Sequence, residues 1–196
     1  MRADALRRRE ALIAAARELF LLHGDAVALD AVAARAGVGI ATLYRNFPTR
    51  QDLADATACA VLEDMQLAAS EASATFAEQP DATWQTFTDR LVRLQLGSVI
   101  PALSHDPEAS LAPQVAAAQQ RTEQAVEAVL AQARDAGLLR PDLGATEFVL
   151  AVAKVGQPAT VHAPDAFPGF DTRLMAMLVA GMRPDGRPLP TPTAEA

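Results

Sequence analysis

Apolar residues recur at helical rather than alternating spacing along nearly the whole chain. From Leu6 to Phe20, Leu6, Leu12, Ile13, Ala16, Leu19 and Phe20 keep that period while Arg7, Arg8, Arg9 and Arg17 take other positions, and Gly24 closes this first helix. Leu29, Val32 and Ala33 predict a short second helix ending at Gly37, and Ile40 to Phe47 a third that Pro48 stops. A fourth helix is predicted from about Arg50 to Phe76, and a fifth from about Ala82 to Val99 with Trp84, Phe87, Leu91 and Leu94 on its apolar face. The stretch from Pro101 to Pro113 is rich in prolines and small polar residues, so it reads as irregular, with room for one short helix. Pro113 suits the first turn of a long helix to about Ala136, with Gly137 as its stop. A helix opening at Gly144 and Glu147 is interrupted by Gly156 and Pro158, and a last helix spans about Phe170 to Met182. The proline-rich tail predicts disorder. No strand pattern, internal repeat or glycine-rich phosphate loop appears, so the fold class is all-α.

The segment Leu29 to Phe47 holds two short helices joined by a turn at Gly37-Val38-Gly39. That arrangement fits a helix-turn-helix, where glycine relieves the crowding of a tight connection. On the second of these helices Leu43 and Phe47 point inward, with Ile40 near the edge, while Ala41, Thr42, Arg45 and Asn46 share the opposite face. This face suits a DNA groove: Ala permits close approach, Arg takes guanine edges, Asn takes adenine edges, and Thr or Tyr hydroxyls hold phosphates. The bland alternative for any such face is simple solvation.

Charge sharpens the choice. Residues 1–53 hold eight arginines against six carboxylates, whereas residues 54–196 hold nine cations against eighteen carboxylates, within a chain of net charge −7. Only the first quarter tolerates a polyanion. All the cations are Arg except Lys154, which gives forked donors suited to phosphate and guanine, although a genomic arginine bias accounts for the same count.

The single cysteine, Cys59, excludes an intramolecular disulfide framework and a cysteine-based zinc site, and points to a reducing compartment. It reads as a small buried hydrophobe. The charged N-terminus has no apolar run behind it, and no stretch approaches the length of a membrane span, so a cytoplasmic location is expected. His23, His105 and His162 lie far apart with no catalytic or metal-ligand motif around them, so neither an enzyme nor a metal or other cofactor is expected.

Over Ala11 to Leu53 the sequence closely resembles the tetracycline-repressor (TetR) family of one-component transcriptional regulators. AARELF, HGD, LDAVAARAGV, ATLYRNF and PTRQDL stand in family order and spacing. Beyond Leu53 the likeness is architectural, with GLLRPD at residues 137–142 similar to a segment common before the penultimate helix. The resemblance implies a three-helix DNA-binding head over residues 1–53, a helical effector-binding and dimerisation domain over 54–183, and a disordered tail over 184–196. It implies that the positions from Gly39 to Asn46 face double-stranded operator DNA, with Thr42 and Tyr44 as regular contacts. The candidate DNA-binding set is thus Gly39, Ile40, Ala41, Thr42, Tyr44, Arg45, Asn46 and Arg50. Three departures stand out: Ala28 replaces a usual Ser or Thr N-cap, Asn46 a frequent His, and Arg50 a frequent Lys. Loss of the cap costs about 1 kcal/mol, and the other two keep a polar or cationic group. Asp30 suits the positive end of the second helix.

For the effector, Leu62, Met65, Trp84, Phe87, Leu91 and Leu94 are candidate apolar lining, and Gln95, His105 and Gln119 candidate polar orienting groups. Few charges fall on the apolar faces, which favours a small apolar or aromatic molecule. For a homodimer, Phe148, Val152, Val155, Leu174, Met177 and Leu178 near the C-terminus are the expected contacts. Such stripes also build ordinary intrachain cores. The other class the residues leave open is a helical ligand-binding or protein-interaction module with a weak DNA head, which a salt-dependent shift of DNA upstream of its own gene separates from a regulator.

Overall fold

The computed structural model describes residues 2–23, 26–94, 111–155 and 169–186. Eight helices and no strand occur among them: α1 Arg2–His23, α2 Leu29–Arg35, α3 Ile40–Asn46, α4 Arg50–Thr75, α5 Pro80–Arg93, α6 Pro113–Asp135, α7 Ala145–Val155 and α8 Phe170–Gly181. Gln95, His105, the stretch from Pro101 to residue 110, the interruption at Gly156 and Pro158, and tail residues 187–196 lie outside the described residues. None of the described helices is long and apolar enough to cross a membrane.

Two apolar cores organise the chain. The first gathers Leu12, Ala16 and Phe20 of α1, Val32 of α2, Leu43 of α3, Phe47 just beyond it, and Leu53 of α4. The second begins at Val61, farther along α4, and takes in Trp84, Phe87 and Leu91 of α5, Val126 to Ala133 of α6, Phe148 and Val152 of α7, and Met175 and Val179 of α8. Helix α4 serves both, and its longest contact is with α6.

Local signals explain the helix ends. Thr49 and Asp52 form a capping box at the start of α4: the Thr49 hydroxyl accepts from the Asp52 amide at 3.1 Å and the Asp52 carboxylate accepts from the Thr49 amide at 2.9 Å. Both α2 and α6 end with a left-handed glycine. Gly37 and Gly137, each at φ 70°, let Val38 and Leu138 donate back to the carbonyls of Ala33 and Ala133. Helix α1 starts four residues earlier than its apolar period predicts, because Asp4 holds Arg7 at 2.7 Å while its carbonyl accepts from Arg8 Nε at 3.0 Å.

The C-terminal helices correct one expectation. Phe148 and Val152 were expected at a dimer contact, yet they are 0% and 1% exposed within a single chain. Phe148 packs against Trp84, with ring centroids 5.4 Å apart, and against Phe87 at 6.2 Å. The large apolar residues that α7 and α8 leave uncovered are Leu150, Phe170 and Met177, while Val155, Leu174 and Leu178 are half-buried.

Candidate nucleic-acid interface

Helix α3 owes its position to two anchors. Leu43 is fully buried and Phe47 is 1% exposed in the first core. The Gly39 carbonyl opens the helix by accepting from Thr42 and Leu43, and the Phe47 amide closes it on the Leu43 carbonyl at 2.8 Å. With those two residues inward, Ile40, Ala41, Tyr44 and Arg45 are exposed and Thr42 and Asn46 half-buried, as the helical period requires. Gly39 is exposed at the N-cap. Ala28 caps α2 with no side-chain bond, consistent with the missing hydroxyl there.

The polar groups on this face are tethered to their own helix. Arg45 Nε donates to the Ala41 carbonyl at 3.0 Å and its Nη2 to the Thr42 hydroxyl at 3.3 Å. Asn46 Nδ2 donates to the Thr42 carbonyl at 2.8 Å. These are weak intrahelical bonds, and because Arg45 is exposed its guanidinium can exchange them for a bidentate partner at small cost.

Arg50, expected to contact DNA, also makes contacts within the head. Its Nη1 donates to the Val27 carbonyl, and its guanidinium lies over the Phe20 ring, 5.6 Å from the centroid. It ties the start of α4 to the segment joining α1 and α2, so its charge is used inside the head. Sequence reasoning found a cation at this position but carries no signal for its direction. It also passed over Arg9, whose guanidinium lies 5.0 Å from the centre of the Phe47 ring at the end of α3. The T-x-x-D spacing from Thr49 to Asp52 is a readable signal for the α4 cap.

The described residues of the expected effector set are divided between the second core and the surface. Met65, Trp84, Phe87 and Leu91 are buried in the second core. Leu62 is half-buried, with its carbonyl accepting from Thr122 at 2.9 Å, and Leu94 is half-buried with its carbonyl accepting from Arg17 at 3.4 Å. Gln119 is exposed on α6. A groove of about 360 Å³ between α4 and α5 is lined by Glu71, Thr75, Thr83, Phe87 and Arg90 among others, and of the expected residues it touches only Phe87. Within the aromatic cluster, Trp84 Nε1 is buried and has no hydrogen-bond partner among the described residues. Burial and the nearby carboxylates of Glu63 and Asp55 push the Cys59 thiol above its ordinary value, so it is a poor nucleophile. Among the described residues no cluster of His, Cys, Asp or Glu is built to hold a metal ion.

Two family models match the chain. Residues 12–57 match the N-terminal domain of the bacterial regulatory proteins of the tetR family, and residues 79–184 match the C-terminal domain of SbtR-like transcriptional regulators. A TetR transcriptional regulator from Streptomyces coelicolor is 27% identical with a TM-score of 0.65, the match covering 91% of this chain and 99% of that one. A TetR regulatory protein from Mycobacterium vanbaalenii is 25% identical with a TM-score of 0.64, covering 93% and 98%. The fold is also that of the TetR-like regulator LfrR from Mycobacterium smegmatis, solved in complex with proflavine, at 23% identity and a TM-score of 0.68 over 94% and 99%. No curated protein matches the sequence. With one family model at its head and another over more than half its length, on a fold that carries an exposed polar α3, the chain belongs to the TetR family of DNA-binding transcriptional regulators.

Proposed function

We propose that the chain is a repressor that binds a palindromic operator as a homodimer and is released by a small apolar effector. It acts by binding rather than by catalysis, in the cytoplasm, with residues 1–53 as reader and 54–183 as sensor and dimer domain. The observation that carries this reading is the two-sided α3: Leu43 and Phe47 fix the helix from below while Ala41, Tyr44 and Arg45 stand outward at groove-reading spacing. Gly39, Ile40, Thr42 and Asn46 complete the contact set, and Arg50 supports it from within.

One reader of this size offers few base contacts, so specificity calls for two heads on two half-sites. The uncovered apolar residues Leu150, Phe170 and Met177, flanked by Val155, Leu174 and Leu178, suit pairing of α7 and α8 with their symmetry mates. For the effector, the aromatic cluster of Trp84, Phe87 and Phe148 offers apolar side chains and one donor, Trp84 Nε1, with no partner among the described residues. A molecule with an apolar body and one acceptor fits that chemistry, and reaching it requires α5 to move relative to α4 or α7.

The test is a fluorescence-anisotropy titration of the chain with DNA upstream of its own gene across a range of salt. Specific binding whose logarithm falls linearly with the logarithm of salt supports the reading. Affinity no greater than for random-sequence DNA refutes it. Trp84 is the sole tryptophan, so its fluorescence screens effectors, and a true inducer must lose affinity in the presence of operator by the same factor by which it weakens operator binding.

A further inference from the structure

The head's positive charge is not on its helix-turn-helix. Over residues 1–53 eight arginines face six carboxylates, but over residues 11–53 four face four, so the whole surplus lies in the first ten residues. Of the four later arginines, three are committed elsewhere. Arg17 is paired with Asp64 at 2.5 Å, Arg35 with Glu18 at 2.7 Å, and Arg50 donates to the Val27 carbonyl beneath the surface. Arg45 alone stands on the reading face. A reader that must hold a polyanion therefore has its cations on the opening turns of α1.

Geometry places some of those cations beside α3. Arg9, Leu12, Ala16 and Phe20 share the face of α1 that packs on the head core, and the Arg9 guanidinium sits over Phe47, the residue that ends α3. Arg8 lies about 100° around the helix from Arg9, and Arg7 about 160° away, on the far side. Arg8 is exposed, and its Nε donates to the Asp4 carbonyl, which fixes the direction of its stem. Arg7 is engaged with the Asp4 carboxylate at 2.7 Å. The major groove is about 12 Å wide, so the strands flanking a helix seated in it lie within an arginine's reach of the helix end.

We propose that Arg8 and Arg9 of α1 grip operator phosphates beside the C-terminal end of α3, forming a sequence-independent clamp that supplies the head's electrostatic affinity while α3 supplies its base preference. This rests on the operator-binding reading above. Each guanidinium displaces condensed counterions from one phosphate, so each contributes about 0.9 to the magnitude of the salt slope. Arg9 also keeps its charge close to the ring that anchors α3, which couples gripping to the position of the reading helix.

The experiment measures anisotropy of labelled upstream DNA and of a labelled random-sequence duplex between about 50 and 200 mM salt. It compares the wild type with Arg8→Gln, the double variant Arg8→Gln with Arg9→Gln, and Arg7→Gln. Arg8→Gln touches no core residue, so it remains interpretable if the double variant loses its fold. Arg9→Lys keeps the charge and should keep the slope. The expected slope falls by about 0.9 in Arg8→Gln and about 1.8 in the double variant, on both duplexes alike, with Arg7→Gln unchanged. In the double variant the affinity lost across that salt range then shrinks about 12-fold. A wild-type slope in both Arg8→Gln and the double variant overturns the clamp, as does a loss confined to the upstream sequence. A wild type with no salt-dependent binding to either duplex overturns the operator-binding reading together with the clamp.

Discussion

Val152→Glu and Met177→Glu place the same carboxylate on neighbouring C-terminal helices, and the structure predicts opposite outcomes. Val152 is 1% exposed in the second core, so the variant forfeits about 1.5 kcal/mol of apolar burial. The new carboxyl replaces an apolar group inside that core. Burial keeps it neutral, and holding a group of ordinary pKa near 4.3 protonated at pH 7 costs about 3.7 kcal/mol. The total, about 5 kcal/mol, matches the lower end of the stability of a whole domain. Val152→Glu should thus lose its sensor fold rather than become a helical monomer.

Met177, at 63% exposure, loses little within one chain, so Met177→Glu should change monomer stability by no more than about 0.5 kcal/mol while charging the proposed dimer face. Urea unfolding followed by circular dichroism gives the stabilities, and light scattering gives the mass. A raised carboxyl pKa in the folded state means stability is lost as pH rises, so the Val152→Glu deficit should narrow by about 2.7 kcal/mol between pH 7 and pH 5. A Val152→Glu protein with the wild-type urea midpoint and a monomer's mass would refute the intrachain placement of α7. A dimeric Met177→Glu protein would move the interface off α8.

Arg45→Ala should weaken binding to the operator by about 1 to 3 kcal/mol and relax preference at one base pair, and an unchanged preference across operator variants removes its reading role. Arg50→Met should lower the urea midpoint by removing the Val27 and Phe20 contacts yet leave the salt slope intact; a flatter slope would return Arg50 to the phosphates. Arg17→Met should separate the unfolding of the two cores, read by hydrogen exchange of the α1–α3 amides for the first and fluorescence of Trp84 for the second; coincident transitions at the wild-type midpoint would show that Arg17 carries no coupling.

The reading helix was legible because one face is bound to a core and the other is not. Leu43 and Phe47 satisfy the helical period, and Gly37 at φ 70° marks the turn in the residues themselves. Helix α7 was not legible in the same way. In its sequence ATEFVLAVAKV the helical period sets Leu150, 58% exposed, in the sector of Thr146, Glu147 and Lys154, with the fully buried Phe148 opposite. What the period cannot say is whether that apolar face meets its own chain or a second copy, because α5 and α8, which cover it, are distant in sequence. The opening of α1 failed for the converse reason: ADALRRRE lacks an apolar period, and its first turns are joined by Asp4, Arg7 and Arg8. Arg50 shows the remaining gap, since the same cation serves phosphate or carbonyl depending on where Val27 and Phe20 arrive.

The proposed effector switch needs an element that both cores hold, and α4 is such an element. Leu53 lies in the first core and Val61 through Ala72 in the second, within one helix from Arg50 to Thr75. Its start is pinned by the Thr49–Asp52 box and by Arg50, both belonging to the head. Its middle is pinned by Asp64 to Arg17, whose second nitrogen donates to the Leu94 carbonyl at the end of α5. A single α1 arginine therefore joins the head, the shared helix and the close of the helix that carries Trp84. Leu21 adds an apolar tie from α1 to the second core. A displacement of α5 cannot leave this junction unchanged: either the Leu94 contact breaks or α1 follows. Because α1 also carries Arg8 and Arg9 at its other end, a movement that α1 follows would shift the proposed phosphate clamp and α3 together, giving the effector proposed near Trp84 a continuous physical route to the operator.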